Sequence, residues 1–475
     1  MTQVVSGQDL IDAGMSQGKW FRDALEAANK VLSAGGTMDG ALEVARSFQP
    51  GPTLALRSEN DIEIYSNIRA ENAFEQDNVE KVNATMRALV RTPVVRAAAI
   101  MPDACPAGPV GTIPVGGVVA SEGIHPGMHS ADICCSMAIS IFPDADPKAL
   151  LDAVHAVTHF GPGGRPRGAQ IKPSEATLSA FQQNAYLRDG ALSAGIEHFA
   201  TQGDGNHFAY VGTMKSTGET ALVTHHGSRA PGARLYATGM KVANRFREQL
   251  SPQTHRENAW IPADTEEGDL YWSALQTIRQ WTKENHYALH DMAAEKLGAK
   301  VADRFWNEHN FVFRKSDGLF YHGKGATPAF DKWAADATDL TIIPLNMAEP
   351  ILIVRGSNAA HGLGFSPHGA GRDISRSAHM RRLAEEYGAD ARGLSPNNLA
   401  AILEKETTGL DVRFFSGFAD ASELPSAYKS AANVRAQIES YGLAEVVDEV
   451  LPYGCIMAGD WEANAPWRKK KQNRA

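Results

Sequence analysis

The sequence predicts a mixed α+β fold: a large domain of antiparallel or mixed sheets with flanking helices, preceded by a small helical segment. From about residue 90, short apolar runs alternate with glycine-containing breaks, which is typical of buried strands that end in loops. The clearest runs are VVRAAAIMPD, GTIPVGGVVAS, CCSMAISIF, HFAYVG, TALVTHH and EPILIVRGS. Between them, helical patterns span about 235–250, 269–298 and 374–387. Strands and helices do not alternate strictly, which disfavours a doubly wound parallel sheet.

The N-terminal part of the chain has a different texture. Apolar residues recur every three or four positions over about 7–46, and GGTMDG interrupts this helical pattern. We therefore predict a helical accessory segment over residues 1–88, a catalytic domain over 89–460 and a basic tail over 461–475. The tail ends in WRKKKQNRA, a run that is usually solvated and less often contacts RNA phosphates.

Composition excludes several classes of protein. The chain has 475 residues, of which 43% are hydrophobic, so a large buried core is expected. Lys and Arg total 46 against 55 Asp and Glu, and the net charge of -9 restricts any nucleic-acid site to a local basic patch. Four cysteines are too few for a disulfide framework. The sequence shows neither a secretory signal nor 18 consecutive apolar residues, so we expect a cytoplasmic protein that does not contact a membrane.

Candidate metal ligands stand at the ends of separate predicted strands. Asp132 precedes Cys135 by three residues after a Pro-Gly turn, so one loop can aim a carboxylate and a thiolate at one point. His207 in GDGNHF, His225 in HHGSR and His309 in EHN add three imidazoles. Taken singly, each of these residues is more typical of a buried core. Together they are a suitable set for one or two ions such as Mn²⁺ or Zn²⁺, and a closed zinc finger is disfavoured.

A glycine-rich loop, SPHGAGRDISR, contains His368 and leads into a helix predicted to begin near Asp373. Backbone amides at a helix N-terminus bind anions, and Arg372 and Arg376 are suited to pair with phosphate. The alternative is a phosphate-binding turn in which His368 has no chemical role.

These motifs together resemble one family. MPDACPAGPVGTIPVGGVVA, ADICCSM, GDGNHF, HHGSR, EHN, GKGATPAF, GSN and HGAGR occur in the order found in the RtcB family of RNA-splicing ligases, over about residues 90–455. Members join RNA ends that bear a 2′,3′-cyclic phosphate or 3′-phosphate to a 5′-hydroxyl, using GTP and Mn²⁺. The resemblance implies a role in RNA repair or tRNA splicing, with an archease-like activator as a possible partner.

The resemblance also assigns metal ligands. It implies that Cys135 bridges two manganese ions. Asp132 and His207 would complete one site, and His225 and His309 the other.

The resemblance makes His368 the nucleophile that becomes guanylylated, with Asp103 orienting its imidazole. The nucleotide-binding residues that it implies are Asn206, Phe208, Asn310, Gly356, Ser357, Asn358, Gly369, Ala370, Gly371 and Arg372.

Several positions depart from the family pattern. Tyr210 stands where relatives have the acidic residue that reads guanine, and Cys105 stands where a histidine is common. Near the C-terminus, PYGCIMAGDW replaces a segment whose lysine meets the nucleotide, and the lysines at 469–471 are candidates to compensate. The link from GSN to HGAGR is also shorter than in relatives. We therefore predict retained nucleotidyl transfer with altered nucleotide selectivity, and the base preference stays open.

Two other functions fit the same residues. One is a metal-dependent RNA-end phosphodiesterase or phosphatase that has lost ligation, and the other is a non-catalytic RNA sensor.

Overall fold

The computed structural model describes residues 4–463 except 19, 50, 52, 391, 392 and 462. Almost all of the predicted basic tail, including the lysines at 469–471, therefore lies outside the described residues. The chain divides into two compact units, Met1–Leu56 with Arg245–Gln253, and Arg57–Asn244 with Thr254–Ala475.

The first unit is helical, as the N-terminal pattern predicts. Its helices are α1 (Gly7–Asp12), α2 (Phe21–Ser33) and α3 (Met38–Ser47). Ser6 and Asp9 form a reciprocal capping box at the start of α1, and Thr37 caps α3. The apolar faces meet in one cluster, which includes Leu10, Phe21, Ala24, Ala28, Ala41 and Ala45. The segment Arg245–Gln253 also belongs to this unit. The Leu54 N–H donates to the Leu250 carbonyl of that segment at 2.7 Å.

This unit is shorter than the accessory segment that the sequence predicts over 1–88. Strand β1 (Ile64–Ser66) pairs in parallel with β2 (Val95–Cys105). Helix α4 (Ala73–Leu89) buries Val82 and Met86 in the cluster that covers β2. Residues 57–88 therefore contribute a strand and a helix to the larger unit.

The larger unit contains the remaining elements. Its other helices are α5 (Pro147–Val157), α6 (Glu175–Gln183), α7 (Ala191–Glu197), α8 (Arg229–Leu250, whose last residues belong to the first unit), α9 (Glu266–Leu297), α10 (Arg376–Tyr387), α11 (Pro396–Glu406) and α12 (Ala431–Ser440). Its other strands are β3 (Val115–Ser121), β4 (Gly123–Ile124), β5 (Ser136–Phe142), β6 (Phe208–Met214), β7 (Thr220–His226), β8 (Ile261–Pro262), β9 (Asp303–Glu308), β10 (Asn310–Arg314), β11 (Phe320–Lys324), β12 (Ala326–Pro328), β13 (Leu340–Ile343), β14 (Ile351–Gly356), β15 (Phe365–Pro367), β16 (Ala389–Asp390), β17 (Gly393–Leu394), β18 (Asp411–Phe414) and β19 (Ala444–Met457).

Two sheets organise these strands. The eight-stranded sheet has the order β13-β14-β19-β6-β7-β5-β9, with β18 added in parallel to β19. The five-stranded sheet has the order β1-β2-β3-β11-β10. Apart from the β1–β2 and β18–β19 pairs, neighbouring strands in both sheets run antiparallel. This architecture confirms the predicted α+β class.

The eight-stranded sheet is covered on both faces. Because successive strand residues point to opposite faces, Tyr210 joins an apolar cluster with Cys455 on one face, whereas Ala209 and Val211 join another with Leu222 on the opposite face. Burial on both faces explains why the strands appear in the sequence as continuous apolar runs.

The three predicted helices are present. Two of them end within three residues of the predicted bounds, whereas α8 begins at Arg229, six residues before the predicted start. The stretch 269–298 is α9, which Thr265 caps at its start and Gly298 ends with a φ of 70°. The stretch 374–387 is α10, but it begins later than predicted, at Arg376 after the Ser375 cap. No helix among the described residues is both long and apolar enough to cross a membrane.

Buried histidines make the stability of the fold depend on pH. Burial lowers the pKa of His125 and His129 to about 4 and that of His290 to about 3. Below about pH 6.5 the unfolded chain takes up these protons while the folded chain does not, so stability falls as the pH drops towards 4. We expect a cost of roughly 1–2 kcal/mol per histidine at pH 5. Urea titrations of the metal-free protein at pH 7 and pH 5 measure it, and equal midpoints at both pH values contradict it.

Candidate active site and metal centre

The predicted metal ligands meet at one edge of the eight-stranded sheet. Strands β6, β7, β5 and β9 lie side by side and antiparallel, so the starts of β5 and β6 and the ends of β7 and β9 share that edge. His207 immediately precedes β6, His225 is the second-last residue of β7, and His309 immediately follows β9. Cys135 immediately precedes β5. The register of the sheet therefore gathers residues from four distant parts of the sequence.

Their ligand atoms form two overlapping groups that share Cys135. The Cys135 Sγ lies 3.2 Å from His225 Nε2 and 3.6 Å from His207 Nε2. His309 Nε2 is 3.2 Å from His225 Nε2. Asp132 Oδ2 is 3.3 Å from His207 Nε2. Within each group, Cys135 with His225 and His309, or with Asp132 and His207, all ligand atoms lie within 4.8 Å of one another.

The chemistry of this cluster fits cations. The Nδ1 atoms of His207 and His225 lie 2.7 and 3.2 Å from the carbonyls of Gln202 and Asn206, so each donates its proton there and turns the Nε2 lone pair towards the cluster. Burial lowers the pKa of His225 to about 3, which keeps it neutral. The His225 Nε2 lone pair faces His309 Nε2 at 3.2 Å, a contact that is favourable when a cation lies between the two nitrogens or when His309 Nε2 carries a proton. Burial also raises the pKa of the Cys135 thiol, so metal binding has to displace its proton.

The two adjacent cysteines have different environments. Cys134 adopts a left-handed conformation with a φ of 57°, and its N–H donates to the Asn310 carbonyl at 2.7 Å. The His309 N–H donates to the Cys135 carbonyl at 2.9 Å. This turn buries the Cys134 side chain completely, while the Cys135 thiol faces the histidines.

His368 lies beside this candidate metal-binding cluster and is held by a buried carboxylate. Its Nδ1 is 2.6 Å from Asp103 Oδ2, and its backbone N–H donates to the same oxygen at 3.3 Å. The Asp103 side chain is fully buried. The rings of His368 and His309 are 4.8 Å apart between centroids. With Nδ1 protonated and bound to Asp103, Nε2 of His368 carries the free lone pair.

Two glycines allow this close packing. Gly371 has a φ of 73°, and a Cβ there would overlap the Asp103 carbonyl oxygen. Gly325 of GKGATP has a φ of 59°, and a Cβ there would lie 2.9 Å from Cε1 of His368. Both positions therefore require glycine for conformation and for space.

We expect Gly371→Ala to lower the free energy of unfolding by roughly 2–4 kcal/mol, because it combines backbone strain with an overlap against Asp103. Gly298→Ala is the matched control, since Gly298 has a left-handed φ of 70° with open space around it. Only the backbone cost of about 1 kcal/mol applies there. Equal losses for the two variants in urea unfolding contradict the proposed packing.

The helix that follows the glycine-rich loop begins three residues after its predicted start near Asp373. Helix α10 begins at Arg376, five residues beyond Gly371, because the Ser375 side chain accepts from the Ala378 N–H and caps the first turn. Arg372 pairs with Glu423 at 2.7 Å, and Arg376 pairs with the same carboxylate. The two arginines are therefore joined through a buried acid that the sequence pattern did not indicate.

A cavity of about 260 Å³ opens in front of His368. Its lining includes Asn206, Phe208, Asn310, Gly369, Ala370, Gly371 and Arg372, together with the metal-cluster residues Asp132, Cys135, His225 and His309. Most of the nucleotide-binding residues implied by the resemblance thus surround one space.

The GSN residues are placed differently. Ser357 Oγ donates to the Leu443 carbonyl at 2.8 Å, and the Asn358 N–H donates to the Ala329 carbonyl at 2.8 Å. A Cβ on Gly356 would overlap the backbone of Ala329. Gly356, Ser357 and Asn358 therefore form a hydrogen-bonded turn in which Ser357 and Asn358 are exposed, and they are not part of the described cavity lining.

Other lining residues received no role from the sequence. Lys324 lines the cavity and belongs to the GKGATPAF motif, but the motif alone did not indicate that this lysine faces the cavity. Glu423 and Tyr428 come from an irregular segment of short 3₁₀ turns, Ala421–Glu423 and Pro425–Ala427, that carries no recognisable pattern.

Comparison with known proteins identifies the family. A family model described as tRNA-splicing ligase RtcB matches residues 168–458. The chain belongs to the RtcB family. The matched range contains His207, His225, His309 and His368.

Individual RtcB relatives are distant in sequence. The tRNA-splicing ligase RtcB of Pyrococcus abyssi is 27% identical over 331 residues, which cover 62% of this chain and 33% of that protein. The one from Thermococcus kodakarensis is 26% identical, with 62% of this chain and 64% of that protein covered. The one from Archaeoglobus fulgidus is 26% identical over 492 residues, with 87% and 96% covered. This RtcB chain therefore spans between a third and nearly all of the relatives' lengths.

Tyr210, the departure noted in the sequence, lies in the wall of the cavity of this RtcB protein. Its hydroxyl lies 3.1 Å from the Val450 carbonyl, to which it donates, and 3.3 Å from the Glu349 carbonyl, and the residue is 2% exposed. Tyr210 therefore turns its polar group into the protein and presents its ring to the cavity.

Proposed function

We propose that this RtcB protein is an RNA ligase that joins a 2′,3′-cyclic phosphate or 3′-phosphate end to a 5′-hydroxyl end through nucleotidylated His368. The observation that carries the proposal is the placement of His368, held by buried Asp103, in the same cavity as the two-site ligand cluster. A hydrolytic metal site needs no such nucleophile. The setting that we propose is cytoplasmic RNA repair or tRNA splicing, with an archease-like protein as activator.

The first chemical step uses the His368–Asp103 pair. Nε2 of His368 attacks the α-phosphorus of a nucleoside triphosphate, the N–P bond forms, and pyrophosphate leaves with the electrons of the broken P–O bond. The imidazole becomes cationic in this step, and the Asp103 carboxylate at 2.6 Å stabilises that charge and fixes the ring. Two Mn²⁺ ions are the metals we propose at the cluster, where they would withdraw charge from phosphate oxygens.

The next steps return His368 to its initial state. An oxygen of the RNA 3′-phosphate attacks the nucleotidyl phosphorus, and the N–P bond to His368 breaks. The RNA 5′-hydroxyl then attacks the activated RNA phosphate, loses its proton, and displaces the nucleoside monophosphate. A cyclic phosphate first needs one water to open to the 3′-phosphate.

A nicked stem-loop RNA with 3′-phosphate and 5′-hydroxyl ends tests the proposal. With a nucleoside triphosphate and Mn²⁺, we expect a longer strand on a denaturing gel. Fragments with altered ends and no joined product favour the phosphodiesterase or phosphatase alternative. Unchanged RNA that is nevertheless bound favours the sensor.

The cavity wall leading away from the metal cluster is apolar, which bears on the choice of base. The rings of Phe208 and His225 are 5.4 Å apart, and Tyr210 lies two residues farther along β6. Met457 and Cys455 pair with Phe208 and Tyr210 across the neighbouring strand. No carboxylate belongs to this β6–β19 wall among the described lining residues, so the N–H donors of guanine find no charged acceptor on it.

We therefore expect GTP and ATP to label His368 with efficiencies within about tenfold of each other, because one unpaired edge hydrogen bond changes affinity by about that factor. Competition between α-labelled GTP and unlabelled ATP measures the ratio. Tyr210→Glu should raise the preference for GTP, and Tyr210→Phe serves as its control. A wild-type preference for GTP of more than about 100-fold contradicts the expectation.

A further inference from the structure

A buried lysine stands behind the His368–Asp103 pair. Lys429 lies just before α12 and is 4% exposed. Its ammonium donates to the carbonyl of Pro102 at 3.1 Å and to the carbonyl of Ala104 at 2.9 Å. No ion pair of the described residues includes Lys429. A buried ammonium with neutral partners is costly for stability, so its retention calls for another explanation.

The two carbonyls that Lys429 binds belong to the residues on either side of Asp103. The ammonium therefore fixes both peptide units from which the Asp103 side chain projects. Asp103 is itself fully buried, and its Oδ1 has no hydrogen-bond partner among the described residues, while Oδ2 holds His368. No other hydrogen bond of the described residues reaches the Asp103 carboxylate, so its orientation depends on its backbone.

Lys429 also binds the loop that carries the nucleophile. Its backbone N–H donates to the Gly371 carbonyl at 3.0 Å. Gly371 in turn packs directly on the backbone of Asp103. One residue thus ties the end of β2 to the HGAGR loop, at the point where Asp103 and His368 meet.

We propose that Lys429 is a positioning residue that clamps the Pro102–Ala104 backbone and the HGAGR loop, so that Asp103 holds the His368 imidazole for attack, and that its positive charge balances the buried carboxylate. This inference rests on the proposed function of His368. Lys429 acts through Asp103 and does not touch the nucleotide.

The experiment measures the rate of His368 labelling at saturating labelled nucleoside triphosphate with Mn²⁺. We expect Lys429→Met to lower this rate about 10- to 100-fold, the usual effect of losing the group that orients a reactive residue, and to leave half-saturation by the nucleotide within about twofold. Lys429→Arg keeps the charge and the donors and should recover part of the rate. Lys429→Gln keeps a hydrogen-bond donor without the charge, so it separates the contribution of the hydrogen bonds from that of the positive charge.

Lys315→Met is the matched control. The Lys315 ammonium is partly buried and donates to the Leu363 carbonyl at 2.6 Å, away from Asp103. We expect this variant to label at the wild-type rate. In an Asp103→Asn background, Lys429→Met should add less than about threefold, because both changes remove the same support.

Wild-type labelling rates in both Lys429→Met and Lys429→Gln, or effects that simply multiply with Asp103→Asn, overturn the inference. A wild-type protein that no nucleotide labels contradicts the proposed function instead. In that case, the reactivity of His368 towards diethyl pyrocarbonate in the full metal-free chain, mapped by peptide mass spectrometry, tests the clamp alone. Lys429→Met and Asp103→Asn should change the reactivity of His368 in the same direction. An unchanged reactivity in Lys429→Met overturns the proposed clamp. If Lys429→Met does not fold, the same comparison is made with Lys429→Gln and Lys429→Arg.

Discussion

Replacing His368 by alanine should abolish covalent nucleotide labelling and lower RNA joining by at least about 10⁴-fold, the scale of losing an essential nucleophile. The reason is that no other imidazole of the described cavity has a carboxylate on one nitrogen and a free lone pair on the other. His225 and His309 point their Nε2 atoms into the metal cluster. Gel-resolved transfer of an α-labelled nucleotide measures the first effect, and joined RNA measures the second.

His361→Ala is the control for this change. His361 lies in the short turn Ala360–Gly362, a few residues before His368, and its ring bonds to the Tyr441 carbonyl at 2.7 Å. We expect labelling at the wild-type level in this variant. Persistent labelling of the His368→Ala protein would show that another group is the nucleophile.

Replacing Cys135 by alanine should remove both metal ions, because its thiolate belongs to both ligand groups. We expect two bound Mn²⁺ ions per wild-type chain and fewer than about half an ion in Cys135→Ala after gel filtration. Asp132→Ala and His309→Ala should each lose about one ion, since each belongs to one group. Elemental analysis of the purified proteins gives the counts.

Cys134→Ala is the matched control for the thiol. Cys134 is adjacent and fully buried, but it belongs to neither ligand group. We expect this protein to retain two ions and to lose only packing energy. One ion lost from Cys135→Ala, or two lost from Cys134→Ala, would contradict the shared-thiolate arrangement.

The candidate metal ligands could be predicted from the sequence for a physical reason. His207, His225 and Cys135 each adjoin a strongly apolar run, and the end of a buried strand is where a polar side chain meets a cavity. The spacing along the chain does not give the distances between them. Those depend on the antiparallel register, which pairs Phe208 and Met137 with His225.

The surroundings of His368 were less accessible. The sequence predicts that its helix begins near Asp373, whereas the structure places the start at Arg376, after the Ser375 cap. The stretch contains several other polar residues that could serve as caps, so the sequence does not single out Ser375. Glu423, which binds both arginines, follows them by about fifty residues without a motif. A lysine in sequence is usually exposed, so nothing indicated that Lys429 is buried behind Asp103.

The boundary of the accessory segment shows a similar limit. The pattern over 73–89 predicts a helix whether α4 packs on the first unit or on β2. Only the pairing of β1 with β2 assigns this part of the chain to the larger unit. Local propensity fixes the type of an element, whereas the partner of its apolar face is a tertiary property.

The most direct test of the central proposal is to locate the bond that the nucleotide forms. The wild-type chain is incubated with Mn²⁺ and each of the four α-labelled triphosphates, digested, and mapped by mass spectrometry under alkaline conditions that preserve a phosphoramidate. We expect the nucleoside monophosphate on the peptide that contains His368, bonded through nitrogen and lost in acid. A label on any other residue, or no label with any of the four triphosphates, would contradict the proposal that His368 is the nucleophile of an RNA ligase.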